Sequence, residues 1–171
     1  DFNFQKSVDF VIPVHLLGYP IKYDKIKQLK EKDIFVIEDC AQATGAKSGN
    51  KMVGSMGDCG IFSFQETKHI TTLGEGGIII TNNEEFAEKC RRIRNHGEYY
   101  KDDNQIGFNF RLTDIQAAFG LIQIKRLPKI LKDFIMDLIR TFPDKITKKS
   151  NKIMYEIIEN NNENNIREKI G

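Results

Sequence analysis

The sequence predicts an α/β fold in which a parallel sheet is covered by helices, and three observations carry that expectation. Four short apolar runs read as strands: Val11-Ile12-Pro13-Val14-His15, Ile34-Phe35-Val36-Ile37, Gly60-Ile61-Phe62-Ser63-Phe64 and Ile78-Ile79-Ile80. An amphipathic segment between the first two gives strand-helix-strand alternation, the mark of a parallel sheet with covering helices. The second and third runs stop abruptly at polar residues, Glu38-Asp39 and Gln65 to His69, and ligands of such sheets gather beyond the carboxyl ends of the strands.

The elements follow in order. After the first strand, Leu16 to Pro20 reads as a loop punctuated by Gly18 and Pro20. Asp24 is placed to accept from the first-turn amides of a short surface helix whose buried face carries Ile26 and Leu29. The second strand ends at Asp39. Ser48-Gly49-Asn50-Lys51 and Gly54 to Asp58 read as turns, which let the chain fold back and bring Asp39 toward Lys68.

The third strand puts Lys68 just past its end. Leu73-Gly74-Glu75-Gly76-Gly77 then turns sharply, and Ile78-Ile79-Ile80 returns as a buried strand, so the lysine is held between two rigid elements. These glycines precede a strand and lack the Gly-Lys-Ser/Thr signature, which argues against a nucleotide-binding loop. Asn82 or Asn83 caps a helix that runs to about Asn95 on a stripe of Phe86, Cys90 and Ile93, with Gly97 as its stop.

Glu98 to Gln105 reads as an exposed loop. Thr113 and Gln116 have capping-box spacing, and Ile115, Ala118, Phe119 and Ile122 supply the apolar face of a helix reaching Pro128. Ile130 to Phe142 can continue as an amphipathic helix, Lys145 to Lys152 is a lysine-rich link, Met154 to Ile158 alternates like a strand, and Asn160 to Asn165 reads as loop or disorder. No internal repeat is evident.

Composition bounds the function. The chain has 171 residues, 40% hydrophobic and 29% charged, which suits one ordinary globular domain. Its 26 basic residues face 24 acidic ones for a net charge of +2, so no global field points to nucleic acid or an anionic membrane, and small molecules are the expected partners. Three widely spaced cysteines, Cys40, Cys59 and Cys90, fit neither a disulfide framework nor a zinc site; they read as core residues of a protein in a reducing compartment, the cytoplasm. No apolar run is long enough to span a bilayer. The chain opens on Asp1 rather than methionine, and the natural N-terminus is expected upstream.

Taken singly, the chemical side chains have ordinary readings. Lys68 would be a solvated lysine, Asp39 a cap or turn residue, Ser63 a local hydrogen-bonding hydroxyl, and Gln42 and Asn109 loop amides. His15 reads as a buried hydrogen-bonding residue, His96 as a helix-end cation, Arg111 as a salt-bridge residue or a contact to substrate or to the other subunit, and Arg91, Arg92 and Arg94 as a solvated helix face. The joint placement of Asp39 and Lys68 beyond strand ends favours a shared site.

Five motifs give that site a context: IEDCAQATGA from Ile37, VGSMGDCGIFSF from Val53, Lys68 with the LGEGG run, RNHG from Arg94, and NFRLTDIQAAFGLIQ from Asn109. Together and in this order, between about Val11 and Pro128, they resemble the DegT/StrS family of pyridoxal phosphate (PLP)-dependent sugar aminotransferases. The resemblance implies a partial large domain of the three-layer αβα, aspartate aminotransferase-like fold (fold type I). Residues 1–128 would be part of the PLP-binding large domain, 129–152 a linking helix and loop, and 153–171 the start of a truncated C-terminal small domain.

Carried over by position, the resemblance makes Lys68 the Schiff-base lysine and later the proton carrier, and Asp39 the partner of the pyridine nitrogen. Gln42 would lie beside the ring, with Ser63 and Asn109 on the phosphate. In the family that asparagine reaches the neighbouring subunit's site, which implies a homodimer with shared active sites. The implied reaction moves an amino group from glutamate to a keto sugar attached to a nucleotide, for amino-sugar and polysaccharide biosynthesis.

Relatives that carry histidine at the lysine position remove a hydroxyl instead; here Lys68 holds that position and His69 only follows it, which favours transamination. The family's upstream helix, with a Gly-Thr or Gly-Ser start under the phosphate and a ring-stacking aromatic, has no counterpart in this stretch. Two other classes therefore compete: a catalytically incompetent fragment serving as a binding or dimerisation module, and an α/β module that binds a sugar nucleotide without PLP.

Overall fold

The computed structural model describes residues 8–97 and 106–141. A four-stranded sheet is ordered β1 (Phe10–Val11), β2 (Phe35–Asp39), β5 (Cys59–Ser63) and β6 (Gly77–Thr81), with a two-stranded hairpin of β3 (Lys47–Ser48) and β4 (Lys51–Met52) beside it in sequence. The α-helices are α1 (Tyr23–Lys30), α2 (Glu84–Arg94) and α3 (Asp114–Thr141), and the stretch expected as a loop from Leu16 to Pro20 begins with a 3-10 turn at Leu16–Gly18. Two compact units divide after Gln123; the described part of the second is the C-terminal stretch of α3.

The expected parallel sheet is present from β1 through β5, but β6 runs antiparallel to β5, pairing Ile61 with Ile79 and Ser63 with Gly77. The connection explains the reversal. Between Ser63 and Gly77 lies a loop without a crossover helix, and only an antiparallel neighbour can be reached that way. β6 forms the sheet edge, so the expectation of a buried strand fails: Ile78, Ile79 and Ile80 are all exposed among the described residues, Ile79 by 49%.

The register fixes which side chains share a face. Phe10 pairs with Phe35, Val14 with Asp39 and Asp39 with Ile61, so Phe10, Phe35, Ile37, Asp39, Ile61, Ser63 and Ile79 point one way. Val36 and Glu38 point the other, into a core with Ile26 and Leu29 of α1 and with Ile34, Cys40, Ala43, Val53 and Met56. On the Asp39 face, Phe86 of α2 meets Phe35 at a ring separation of 5.4 Å. Helices thus lie on both faces of the sheet.

Helix boundaries follow local chemistry. Asp24 does not cap α1: Lys22 holds the cap position, and the Tyr23 N–H instead donates to Ser48 Oγ of the hairpin at 2.9 Å. Asn83 caps α2, its side chain accepting from the Phe86 N–H at 3.0 Å. At α3, Thr113 Oγ1 accepts from the Gln116 N–H and Gln116 Oε1 from the Thr113 N–H, the reciprocal pair that the spacing predicted.

Pro128 does not end this helix, which runs through it to Thr141, and its predicted apolar face is not buried among the described residues, where Ile115 is 74% exposed. The expected loop at 98–105, the lysine-rich link, the Met154 strand and the asparagine-rich tail lie outside the described residues.

Candidate active site

Asp39 is the last residue of β2 and is pinned on both edges. Its N–H donates to Pro13 O at 2.9 Å and its carbonyl accepts from the His15 N–H at 3.0 Å; on the other side the Cys40 N–H reaches Ile61 O at 2.9 Å. Oδ1 accepts from the Ala41 N–H at 3.0 Å, while Oδ2 accepts from no described residue. One rigidly carried carboxylate oxygen remains available on the sheet face.

Ser63 lies on that same face, two residues beyond Asp39's register partner Ile61, and its Oγ accepts weakly from the Gln65 N–H at 3.3 Å. The chain then makes the turn that carries Lys68. Gln65 Oε1 accepts from Thr67 N and Oγ1, the Lys68 N–H donates to Gln65 O at 2.9 Å, and Glu66 N–H donates to Gly74 O at 2.8 Å. Thr72, buried, donates its hydroxyl to Glu75 O and its N–H to Phe64 O. Gln116 Nε2 of α3 also donates to Glu75 O, at 3.2 Å. A Cβ on Gly120 would lie 2.9 Å from the Thr72 methyl, so the loop is clamped where α3 passes it.

Gln42 follows β2 by three residues and accepts on Oε1 from the Leu17 N–H at 2.9 Å. Asp39, Gln42, Ser63 and Lys68 therefore all belong to the carboxyl ends of the parallel pair β2 and β5 or the loops just beyond. Asn109 is held separately, on an antiparallel bridge to Asn95 at the end of α2, between Phe108 and Phe110, whose rings stack at 5.1 Å. The Arg111 guanidinium donates to Asn95 Oδ1 at 2.6 Å, and among the described residues it forms no salt bridge.

Sequence alone does not single out Glu38, yet it organises this end of the sheet. Fully buried, its Oε1 accepts from Met56 and Gly57 N–H at 2.6 and 2.7 Å, and its Oε2 from Gly54 N–H and His15 Nε2, both at 2.9 Å. Burial alone would raise its pKa, but the bond from His15 and the three backbone donors prevail and hold the carboxyl below its ordinary value.

The same burial, with the charges of Glu38 and Asp39 nearby, pushes the Cys40 thiol up to about 12, so it stays protonated. His15, Glu38 and Cys40 place possible ligand atoms within 4.8 Å of one another, and both carboxylate oxygens of Glu38 already accept from N–H donors. Alternation along β2 is the signal for Glu38, since Val36 faces inward.

A carboxylate with one unengaged oxygen, a hydroxyl on the same face and a primary amine on a clamped loop form a donor set that fits PLP, an aldehyde with a basic ring nitrogen and a phosphate. The sheet is part of the fold of the PLP-dependent aminotransferases. The chain belongs to the DegT/DnrJ/EryC1/StrS aminotransferase family, whose model matches residues 4–141.

GDP-perosamine synthase of Escherichia coli O157:H7 is 42% identical over 122 residues, covering 68% of this chain and 33% of the relative. UDP-N-acetyl-3-dehydro-alpha-D-glucosamine 3-aminotransferase of Acidithiobacillus ferrooxidans is 43% identical over 110 residues, 63% of this chain and 30% of that one. Among solved structures, Helicobacter pylori PseC, an aminotransferase involved in pseudaminic acid biosynthesis, aligns with a TM-score of 0.67 at 34% identity over 78% of this chain and 38% of its own.

An E. coli GDP-4-keto-6-deoxy-D-mannose-3-dehydratase with bound hydrated PLP aligns with a TM-score of 0.70 at 29% identity over 84% and 43%. The chain spans about a third of the length of the curated relatives it matches.

Proposed function

We propose that this chain is the central part of a PLP-dependent aminotransferase that moves an amino group from glutamate to a keto sugar attached to a nucleotide. The product would feed amino-sugar and polysaccharide biosynthesis in the cytoplasm, and the working form would be a homodimer with Asn109 serving the partner's site. Residues 1–128 would belong to the PLP-binding large domain, 129–152 to a linking helix and loop, and 153–171 to the start of a small domain.

One observation carries the reading: Lys68, the only lysine on the loop after β5, stands beyond the same sheet end as Asp39, whose Oδ2 is unengaged by described residues. PLP, when bound, supplies an electron sink for a carbanion at the amino-bearing carbon. Asp39 would hold a proton on the ring nitrogen, its charge favouring the protonated form. Lys68 would hold the aldehyde and then, as a free amine, carry a proton between substrate and cofactor carbons, which an arginine could not do. Ser63 and Asn109 would orient the phosphate and Gln42 the ring.

Relatives that are dehydratases share the fold, so the fold does not choose between the two reactions. The amine at position 68 favours amino transfer. The competing reading, a catalytically incompetent fragment that serves as a binding or dimerisation module, is favoured by the share of its relatives that the chain spans.

Absorbance separates them. Added PLP should develop a visible band distinct from that of the free cofactor, and Lys68→Ala should abolish it while leaving the far-UV circular dichroism unchanged. A spectrum identical to free PLP in the unsubstituted chain would leave the fragment reading standing.

A further inference from the structure

Glu38 costs the fold a desolvated charge, and a leucine would fill similar space without that cost. What the carboxylate does that a leucine cannot is fix directions. Three of its four donors are backbone N–H groups of one turn, Gly54, Met56 and Gly57; the fourth is the imidazole of His15. His15 in turn has both ring nitrogens assigned: Nδ1 accepts from the Ile21 N–H at 3.0 Å, so the proton resides on Nε2 and is donated to Glu38. Its backbone N–H donates to the carbonyl of Asp39. One buried residue thus joins the core carboxylate, the peptide of Asp39 and the far end of the 16–20 loop.

That loop opens on a 3-10 turn, Leu16–Gly18, closed by the Tyr19 N–H donating to Leu16 O at 2.9 Å. Leu17 adopts φ 54°, in the left-handed region that leucine rarely enters, with its side chain in solvent. Such a residue persists only where its surroundings fix it. Here the fixed points are the Tyr19 N–H to Leu16 O bond across it, the His15–Ile21 bond at one end and the Leu17 N–H to Gln42 Oε1 bond in the middle.

We infer that Glu38 is a positioning residue, which through His15 sets the 16–21 loop and through Leu17 the side-chain amide of Gln42. The inference about Gln42 as a cofactor neighbour rests on the proposed aminotransferase reading; the hydrogen-bond relay does not.

The test uses the intact chain, isotope-labelled, with His15→Leu, His15→Gln and Gln42→Ala. His15→Leu should speed amide exchange at Leu17 and Ile21 at least tenfold while Ile37 and Ile61 of the sheet keep their protection. His15→Gln, whose amide retains a donor and an acceptor, should recover most of the protection at Ile21. Gln42→Ala should move the Leu17 amide signal and leave Ile21 in place.

In a PLP titration read by absorbance, His15→Leu and Gln42→Ala should each weaken binding several-fold, and the double variant should be no weaker than the worse single one. Unchanged exchange at Leu17 in His15→Leu, exchange rising equally across β2 and β5, or fully additive losses of PLP affinity would each overturn the relay. Absence of any spectral change with PLP in the unsubstituted chain would overturn the aminotransferase reading, and exchange at Leu17 and Ile21 would still decide the relay.

Discussion

Glu38 and Asp39 are chemically alike and adjacent, and the pleat of β2 sends them to opposite faces with opposite tasks. Asp39 keeps an oxygen available; Glu38 spends both on four donors. Because the folded Glu38 carboxyl titrates below its ordinary value of 4.5, the unfolded chain binds more protons than the folded one between the two values. Stability from this group is fully present above pH 4.5 and is lost as pH falls through the folded pKa. Chemical-denaturation midpoints from pH 7 down to 3 should therefore fall steeply on the acid side. In Glu38→Gln, that slope should flatten and the chain should lose roughly 3 kcal/mol at pH 7, because an amide nitrogen would face N–H donors where an oxygen accepted them. An unchanged acid slope in the variant would mean that other carboxyls set it.

At the scale of elements, the VGSMGDCG stretch folds as the turn that delivers three N–H groups to Glu38, and its glycines are there for close approach. A Cβ on Gly60 would lie 2.7 Å from the carbonyl oxygen of Gly54, which is backbone and cannot rotate away. Gly54 itself has φ +84°, and a Cβ there would meet the Phe62 ring at 2.6 Å. Gly60→Ala should destabilise by about 2–3 kcal/mol, seen as a lowered urea midpoint with an unchanged slope. A midpoint within error of the unsubstituted chain would show that the turn can shift.

The positions of the four strands and the caps of α2 and α3 were legible because each rests on local chemistry: an apolar run, an asparagine, a Thr-x-x-Gln pair. The direction of β6 depends on how a glycine loop closes, and the cap of α1 on a hairpin serine 25 residues away, neither of which periodicity encodes. Pro128 reads as a stop, yet a proline forfeits only one helical hydrogen bond directly, and a helix this long continues past it. In the site, Asp39 and Lys68 were legible as strand-end residues, whereas the bond from Leu17 to Gln42 was not, since it needs a left-handed leucine that no residue preference suggests.

For the molecule as a whole, the sheet face that carries Asp39 is the one left incompletely covered. Phe10 of β1, Ile12 and Val14 just beyond it and Ile79 of β6 are each 44–55% exposed among the described residues. Parallel sheets are stable when both faces are covered, and exposed apolar patches at a strand edge invite pairing with another chain. In a polypeptide of the relatives' length, about three times the span matched here, other segments are available to cover that face. The chain by itself should therefore associate in a concentration-dependent way and bind a hydrophobic dye. Ile12→Lys should weaken both without lowering the urea midpoint by more than about 1 kcal/mol equivalent, because Ile12 is already 48% exposed and a lysine stem can keep part of the contact that remains. Sedimentation velocity across a hundredfold concentration range, with dye fluorescence alongside, decides it. A single monomeric boundary at every concentration, with no dye signal, would mean that residues other than those described already cover the face.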